Sequence, residues 1–450
     1  MRFCDRLPYC RVCIAFSVLL GLGAALVLAA CVSGSTPPPP PSPAPERTAV
    51  PEVPSPTPSF PITLTYWEED SNEAGVLLDA LAADFMQLNP DVVVVREHYG
   101  YDELRNQFRA VVSRGKAPAL VRAPGEFAGP FSELGIVHPL DEIFSQGFLD
   151  GFLPGAREGA AVRGKLWGLP DNFGNHLLLL YNRALVSQVP ASTDLWIAQL
   201  KELTDPVAGR YGLAYPLAES YWLIPWLAGF GGWPLDARGH VVLDTAEMVE
   251  ALWFVHDLKF LHRVVPEQSD YQTAFALFGQ GQAAYVIDGA WNLPRYRSLG
   301  VDVGVALLPR VSRTELSATT MATGRYWFIA RTAVGAELDA AARFVEFMTA
   351  AEAQARWLTD LGRFPSSRSV AVGDLESTDP LLPGIVAQLR LARGVPPALE
   401  MACAWQGIAA HLPQVAAGQL TPDDAPPRMQ AEADACVEEM GGYLTVTPSD

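Results

Sequence analysis

The chain predicts an α/β fold divided into two lobes, and three observations carry that expectation. Along the body the spacing of apolar residues alternates between two and 3.6, the marks of strand and helix in turn. The body opens with ITLTYW at 62–67, an amphipathic stretch at 73–88 and DVVVVR at 91–96, which read together as a parallel βαβ start. With 49 % hydrophobic residues over 450, the stretch 62–450 carries more interior than one ordinary core accommodates.

The remaining elements follow the same periods. The pattern predicts a helix over 101–114, a short strand over 119–122 and a strand pair within 166–182 around Pro170, with the first lobe closing near 172–174. Helices are then predicted over 196–203, 221–230, 246–262 and 271–279, and strands over 283–288 and 303–307. GAAVRGKL at 159–166 comes within one residue of a phosphate-binding loop. Leu166 stands where that loop needs Ser or Thr, and a strand signal follows in place of a helix, so a hairpin turn is the reading.

Ahead of the body, Arg2, Arg6 and Arg11 precede an apolar run over 14–28, and Leu28-Ala29-Ala30-Cys31 closes it as a bacterial lipobox. Residues 1–31 are therefore expected to be a lipoprotein signal peptide, with lipid on Cys31 tethering the chain to the extracytoplasmic face of a membrane. An uncleaved anchor is the alternative, since the run approaches the lower length for spanning a bilayer. Residues 32–61 hold 12 of the 38 prolines, including five in a row at 37–41, and predict an extended, solvated spacer.

The formal charge of −18, more negative once a leader with three arginines is removed, excludes nucleic acid as a natural partner. The seven histidines show no metal-ligand spacing and no G-x-S-x-G elbow occurs, so neither metal nor cofactor is expected. Of the six cysteines only Cys403 and Cys436 stay in the mature body. They read equally as a disulfide between two C-terminal helices or as two buried thiols.

Several blocks carry a resemblance. GKLWGLP at 164–170 with LLLYNR at 178–183, DYQTAFALFGQG at 270–281 with AYVIDGAW at 284–291, and VALLP at 305–309 resemble family 1 extracellular solute-binding proteins of ABC importers. ESYW at 219–222 before GGW at 231–233, the Trp291 block, and MACAW at 401–405 bring the likeness closest to the maltose and maltodextrin binders. The resemblance implies a two-lobed, type II periplasmic-binding-protein-like fold with crossing hinge strands. Lobe one would be 62–173 plus 310–370, and lobe two 174–309 plus 371–450. It further implies a monomer that captures an oligosaccharide between the lobes and passes it to separate ABC permease subunits.

Sugar capture needs flat apolar faces against pyranose C–H groups and acceptors for hydroxyl protons in a desolvated cleft. The resemblance places Tyr221, Trp222, Trp291 and Trp405 as stacking residues, and Glu69, Asp70, Asn72, Glu126, Asp171 and Asn175 as polar contacts. For 68–72 an acidic, capped helix start at Ser71 or Asn72 explains the residues equally well. Ala123 stands where the family has an aromatic, Phe127 replaces a basic residue and Asn175 falls where a carboxylate is expected. A different sugar or small solute is the alternative ligand. A glycoside hydrolase, with Glu69 and Glu126 as its carboxylate pair, is the alternative class.

Overall fold

A computed structural model describes residues 61–112, 114–115, 117–370 and 379–444. The leader, the lipobox cysteine and nearly all of the spacer lie outside the described residues. Strand β1 (Ile62–Glu68) pairs in parallel with β2 (Val92–His98) on one side and β3 (Leu120–Pro124) on the other, so the βαβ reading of the opening holds. The intervening helix, Asn72–Leu88, begins where Ser71 Oγ accepts a hydrogen bond from the Ala74 amide at 3.3 Å, and it buries Leu77, Leu78, Leu81 and Phe85.

A two-residue turn at Arg163 (φ 50°) and Gly164 (φ 75°) joins β4 (Ala161–Val162) to β5 (Lys165–Leu166). Two consecutive left-handed residues give the tight hairpin geometry, which matches the hairpin reading of 159–166. Next come β6 (Leu169–Gly174) and β7 (Leu177–Asn182), every residue of β6 being buried. They belong to different sheets, so the chain passes from one lobe to the other through Asn175 and His176.

The second sheet has the order β10-β7-β9-β8, with β8 (Tyr211–Ala214), β9 (Ala283–Gly289) and β10 (Val303–Ala306). A nine-residue strand, β11 (Met321–Ile329), then returns to the first sheet and pairs antiparallel with both β3 and β6. It has no counterpart among the expected elements. Its residues MATGRYWFI are buried at nearly every position, leaving no alternation to detect. The short β12 (Arg393–Gly394), in a stretch expected in the second lobe, pairs with the start of β11 in the first sheet.

One hydrophobic core surrounds β1, β3 and β11 with Phe85, Phe344 and Trp357; another surrounds β7 and β9 with Trp196, Trp226 and Tyr285. The second core also takes in the C-terminal helices Glu400–Ala416 and Ala425–Leu444 through Ile408, Leu412, Met429 and Ala433. Cys403 and Cys436 form a disulfide between these two helices, their Cα atoms 5.4 Å apart, which resolves the pairing that spacing left open. The bridge closes a loop over a sequence separation of 33. In the chain-entropy picture, converting both cysteines to serine lowers unfolding free energy by about 3.8 kcal/mol. Urea unfolding of the oxidised protein against this double variant measures the difference.

Candidate ligand cleft

The first lobe meets the cleft on a buried ionic brace. Arg122, on β3, is wholly buried. Its Nε and Nη2 donate to the two oxygens of Asp171 at 2.5 and 3.0 Å, and its Nη1 donates to Asp70 Oδ2 at 2.8 Å. Asp171 also accepts from Trp327 Nε1 at 2.8 Å and from Asn172 Nδ2 at 2.7 Å. Arg363 grips Asp70 from the other side through both terminal nitrogens, one of them at 2.6 Å. The Trp357 ring lies 4.5 Å from the Arg122 guanidinium and 5.2 Å from that of Arg363. Burial pushes the Asp70 carboxyl up, but the guanidinia of Arg363 and Arg122 outweigh it and hold the group far below the usual carboxylate range.

This arrangement answers part of the sequence expectation. The hydrogen bonds of Asp70 and Asp171 go to protein cations, because a buried guanidinium without partners would be far more costly than the pair. Asn72 is exposed in the first turn of its helix, and Ser71 makes the cap. Glu69, with only 4 % of its side chain exposed, lies 2.7 Å from Arg325 Nε, and desolvation pushes its carboxyl above the usual range. Glu126 is exposed and accepts a 2.9 Å hydrogen bond from the Tyr101 hydroxyl.

The second lobe contributes an aromatic wall. Gly289 ends β9, and a Cβ there would meet the Trp291 ring at 2.0 Å, so only glycine lets the indole fold back over the strand end. Trp291 remains 39 % exposed. Its Nε1 donates to the Tyr271 hydroxyl at 3.1 Å, and its ring stands edge-on to Trp222 at 6.5 Å. Beneath it the buried Asp288 accepts from Tyr296 Oη at 2.6 Å, Asn292 Nδ2 at 2.8 Å and the Gly289 amide at 2.7 Å. Desolvation nevertheless raises the Asp288 carboxyl above its ordinary range.

Trp222 itself is core. It is 8 % exposed, and its indole N–H is taken by the Ile287 carbonyl at 2.7 Å, so it backs Trp291. Tyr221 and Trp405 are half-buried, with ring centroids 6.3 Å apart. Burial raises the Tyr221 hydroxyl above its usual range.

A cavity of about 910 Å³ opens between these walls, lined by residues that include Asn175, Trp291, Arg297, Arg325, Arg363 and Phe364. Of the ten expected ligand residues it brings together Asn175 and Trp291. Glu69 and Asp70 sit behind the lining arginines 325 and 363, and Tyr221 is tied to the rim through the Asn175 carbonyl. Each lining guanidinium has a carboxylate partner: Arg297 with Asp379, Arg325 with Glu69, Arg363 with Asp70. The cavity therefore offers no uncompensated cation, an arrangement suited to a neutral, hydroxyl-rich ligand.

The lining residues Arg297, Arg325, Arg363 and Phe364 escaped the sequence reading, as did Tyr101 beside Glu126. Arg325 and Arg363 come from segments remote from the motifs, and nothing in their local pattern marks a cleft. Tyr101 did leave a signal, as an aromatic at the start of a predicted helix. It packs against Phe127 at 5.1 Å, and that ring occupies the position where a basic residue was expected. Among the described residues no group of His, Cys, Asp and Glu could hold a metal ion, and no helix is long and apolar enough to cross a membrane.

Residues 80–384 match the family model of the bacterial extracellular solute-binding proteins. The chain belongs to that family. This solute-binding protein is not an enzyme. It is 27 % identical over 344 residues to a maltotriose-binding protein of Pyrococcus abyssi, covering 75 % of this chain and 74 % of the relative. It is 24 % identical over 258 residues to a maltooligosaccharide ABC transporter solute-binding lipoprotein of Streptococcus pneumoniae, covering 54 % of this chain and 59 % of the relative. A cyclo/maltodextrin-binding protein solved with maltotetraose shares the two-lobed fold at a TM-score of 0.76 and 23 % identity, over 84 % of this chain and all but 2 % of that one. The maltose/maltodextrin-binding domain from Bdellovibrio bacteriovorus, solved with maltotriose, matches 84 % of this chain and 100 % of its own at 26 % identity and a TM-score of 0.62.

The brace and the hinge histidine set the response of the protein to acid. His176 is fully buried, its Nε2 3.1 Å from the Ile385 carbonyl, and burial pushes its pKa down to about 4. The unfolded chain therefore binds a proton there first, and stability falls as pH drops from about 6.5. Asp70 has a depressed folded-state pKa, so its contribution is present above about pH 4 and is lost as pH falls further. A His176→Leu variant shrinks the upper phase in pH-dependent urea midpoints to the part left by His262, whose pKa burial also lowers, and keeps the lower phase. Arg122→Met, which strands the buried Asp171 carboxylate without a cation while Asp70 keeps Arg363, destabilises the fold by about 3–5 kcal/mol at pH 7 in the same measurement.

Proposed function

We propose that this chain is the lipid-anchored receptor of an ABC importer, and that it captures a neutral oligosaccharide of the maltodextrin type between its two lobes. The observation that carries the reading is the exposed indole of Trp291 on the wall of a charge-balanced cavity. A pyranose stacks its C–H face on such a ring, and its hydroxyls meet polar groups already paired among themselves, so no counter-ion is needed. The ligands for which the relatives are named, maltotriose and maltooligosaccharide, point the same way.

In this reading Trp291 and Asn175 contact the sugar directly. Tyr221 and Trp405 extend the apolar surface on the second lobe. Tyr101 and Glu126 face it from the first lobe, where Tyr101 supplies the aromatic that Ala123 lacks. Glu69 takes part through Arg325. Asp70 and Asp171 act as the brace that aims Arg363, and Trp222 as the backing of Trp291, while Asn72 contributes only to its helix start. The chain leaves the first lobe after Gly174 and returns with β11, since Val311 and Ala318 still pack in the second core, which moves the expected divisions at 173/174 and 309/310; the permease and ATPase are separate chains. Cys31 carries the lipid, a role supported by the lipobox and by the lipoprotein among the relatives. The protein works as a monomer.

Titration of the leader-free chain beginning at Pro61 with maltose, maltotriose and cyclodextrin, followed by tryptophan fluorescence, tests the reading. A saturable response to α-glucans is expected, with no reducing ends released on prolonged incubation. Silence toward every oligosaccharide, or turnover, rejects it. Trp291→Ala weakens binding by about 1–3 kcal/mol, the cost of one buried aromatic face. In cells, Cys31→Ser moves the protein from the membrane fraction to the soluble extracytoplasmic fraction.

A further inference from the structure

The geometry points to Tyr221 as a two-position hinge latch, whose single hydroxyl hydrogen is shared between two of the chain crossings that join the lobes. Tyr221 sits at the start of the second-lobe helix Ser220–Gly229. Its hydroxyl lies 3.0 Å from the carbonyl oxygen of Asn175 and 2.7 Å from that of Met321. Asn175 is the turn through which the chain leaves β6 for β7, and Met321 is the first residue of β11, where the chain has come back. Met321 is also in register with Arg393 of β12. The hydroxyl thus rests where outgoing and returning backbone converge.

The chemistry of this contact is asymmetric. A tyrosine hydroxyl has one hydrogen to donate, and a carbonyl oxygen only accepts. Two carbonyls within reach of one donor must share it or take it in turn. Asn175 holds a left-handed φ of 55°, a conformation that asparagine adopts more readily than other residues bearing a Cβ, and the Tyr221 bond pins its carbonyl. Hinges move by changing the torsions of a few such residues. When the lobes turn about Asn175, its carbonyl swings relative to that of Met321, and the hydrogen passes to whichever acceptor the new orientation favours.

The ring of the same side chain lies in the aromatic cluster. Its centroid is 6.3 Å from that of Trp405 and 6.0 Å from that of Trp222, which in turn backs Trp291. One residue therefore joins the surface proposed to receive the sugar to the point about which the lobes turn. Tyr221 is a positioning residue for closure. The coupling to ligand rests on the proposed function; the latch itself does not.

The test uses the leader-free chain with cysteines for dyes at Val76 and Leu195, which are 72 % and 65 % exposed on helices of the two lobes. Single-molecule energy transfer then reports the interlobe distance with and without maltotriose. Tyr221→Phe keeps the ring and removes the donor. The expected result is a broadened ligand-free distance distribution and a maltotriose Kd weakened on the order of fivefold, the value of about one net hydrogen bond. Trp405→Phe should weaken binding and leave the ligand-free distribution as in the parent, which separates a lost sugar contact from a lost latch. A ligand-free distribution of Tyr221→Phe that superimposes on that of the parent overturns the proposal. If maltotriose closes neither protein, the oligosaccharide reading fails, and the ligand-free comparison still decides the latch.

Discussion

The cleft depends on one buried cation. Arg122 reaches from β3 to Asp70, just beyond the end of β1, and to Asp171 on β6, and so ties together the strand ends that form the first-lobe floor. Its guanidinium is planar and bidentate toward Asp171, which fixes direction as well as distance. With the carboxylates committed inward, Arg363 is in turn held by Asp70 and presented to the cavity. A substitution at Arg122 would leave the Asp171 carboxylate buried without a cation, where the absence of a partner costs more than the pair contributes.

The two walls of the cavity solve the same problem with different chemistry. The first lobe compensates charge with charge and screens it behind the rings of Trp327 and Trp357. The second uses a single carboxylate, Asp288, satisfied by neutral donors from Tyr296, Asn292 and the Gly289 amide. That anchor sets the strand end from which Trp291 projects. Between them lies space whose lining cations are all paired, so recognition falls to ring faces and hydroxyl-matching polar groups, which provide directionality without net charge. The two C-terminal helices, stapled through Cys403 and Cys436, carry Trp405 to the same side.

Much of the architecture was legible residue by residue. The βαβ opening, the 159–166 hairpin and the helices near 196, 246 and 271 all follow from apolar period and turn chemistry, and the structure differs from them mainly by a few residues at each end. β11 was not legible because a strand buried on both faces has no polar alternation to betray it. Of the cavity lining, Asn175 and Trp291 were legible. Trp291 was named through the block 284–291 that resembles the family, which a local pattern can carry. Asp70 and Asp171 looked like hydroxyl acceptors because a sequence shows a carboxylate without showing which cation, 52 or 49 positions away, will occupy it.

By itself the sequence determined the alternation of strand and helix, the need for more than one core, and the presence of aromatic and acidic residues in the blocks that resemble the family. These are local properties, set by side-chain period, backbone preference and composition. Only the tertiary structure decided which residues share a wall. It assigned Trp222 to the core and left Trp291 facing the cavity, joined two distant cysteines, paired each lining arginine with a carboxylate, and placed the Tyr221 hydroxyl between two hinge carbonyls. Burial and hydrogen-bond partnership are properties of surroundings brought together by folding, and for these groups the partners lie tens to hundreds of positions apart in the chain.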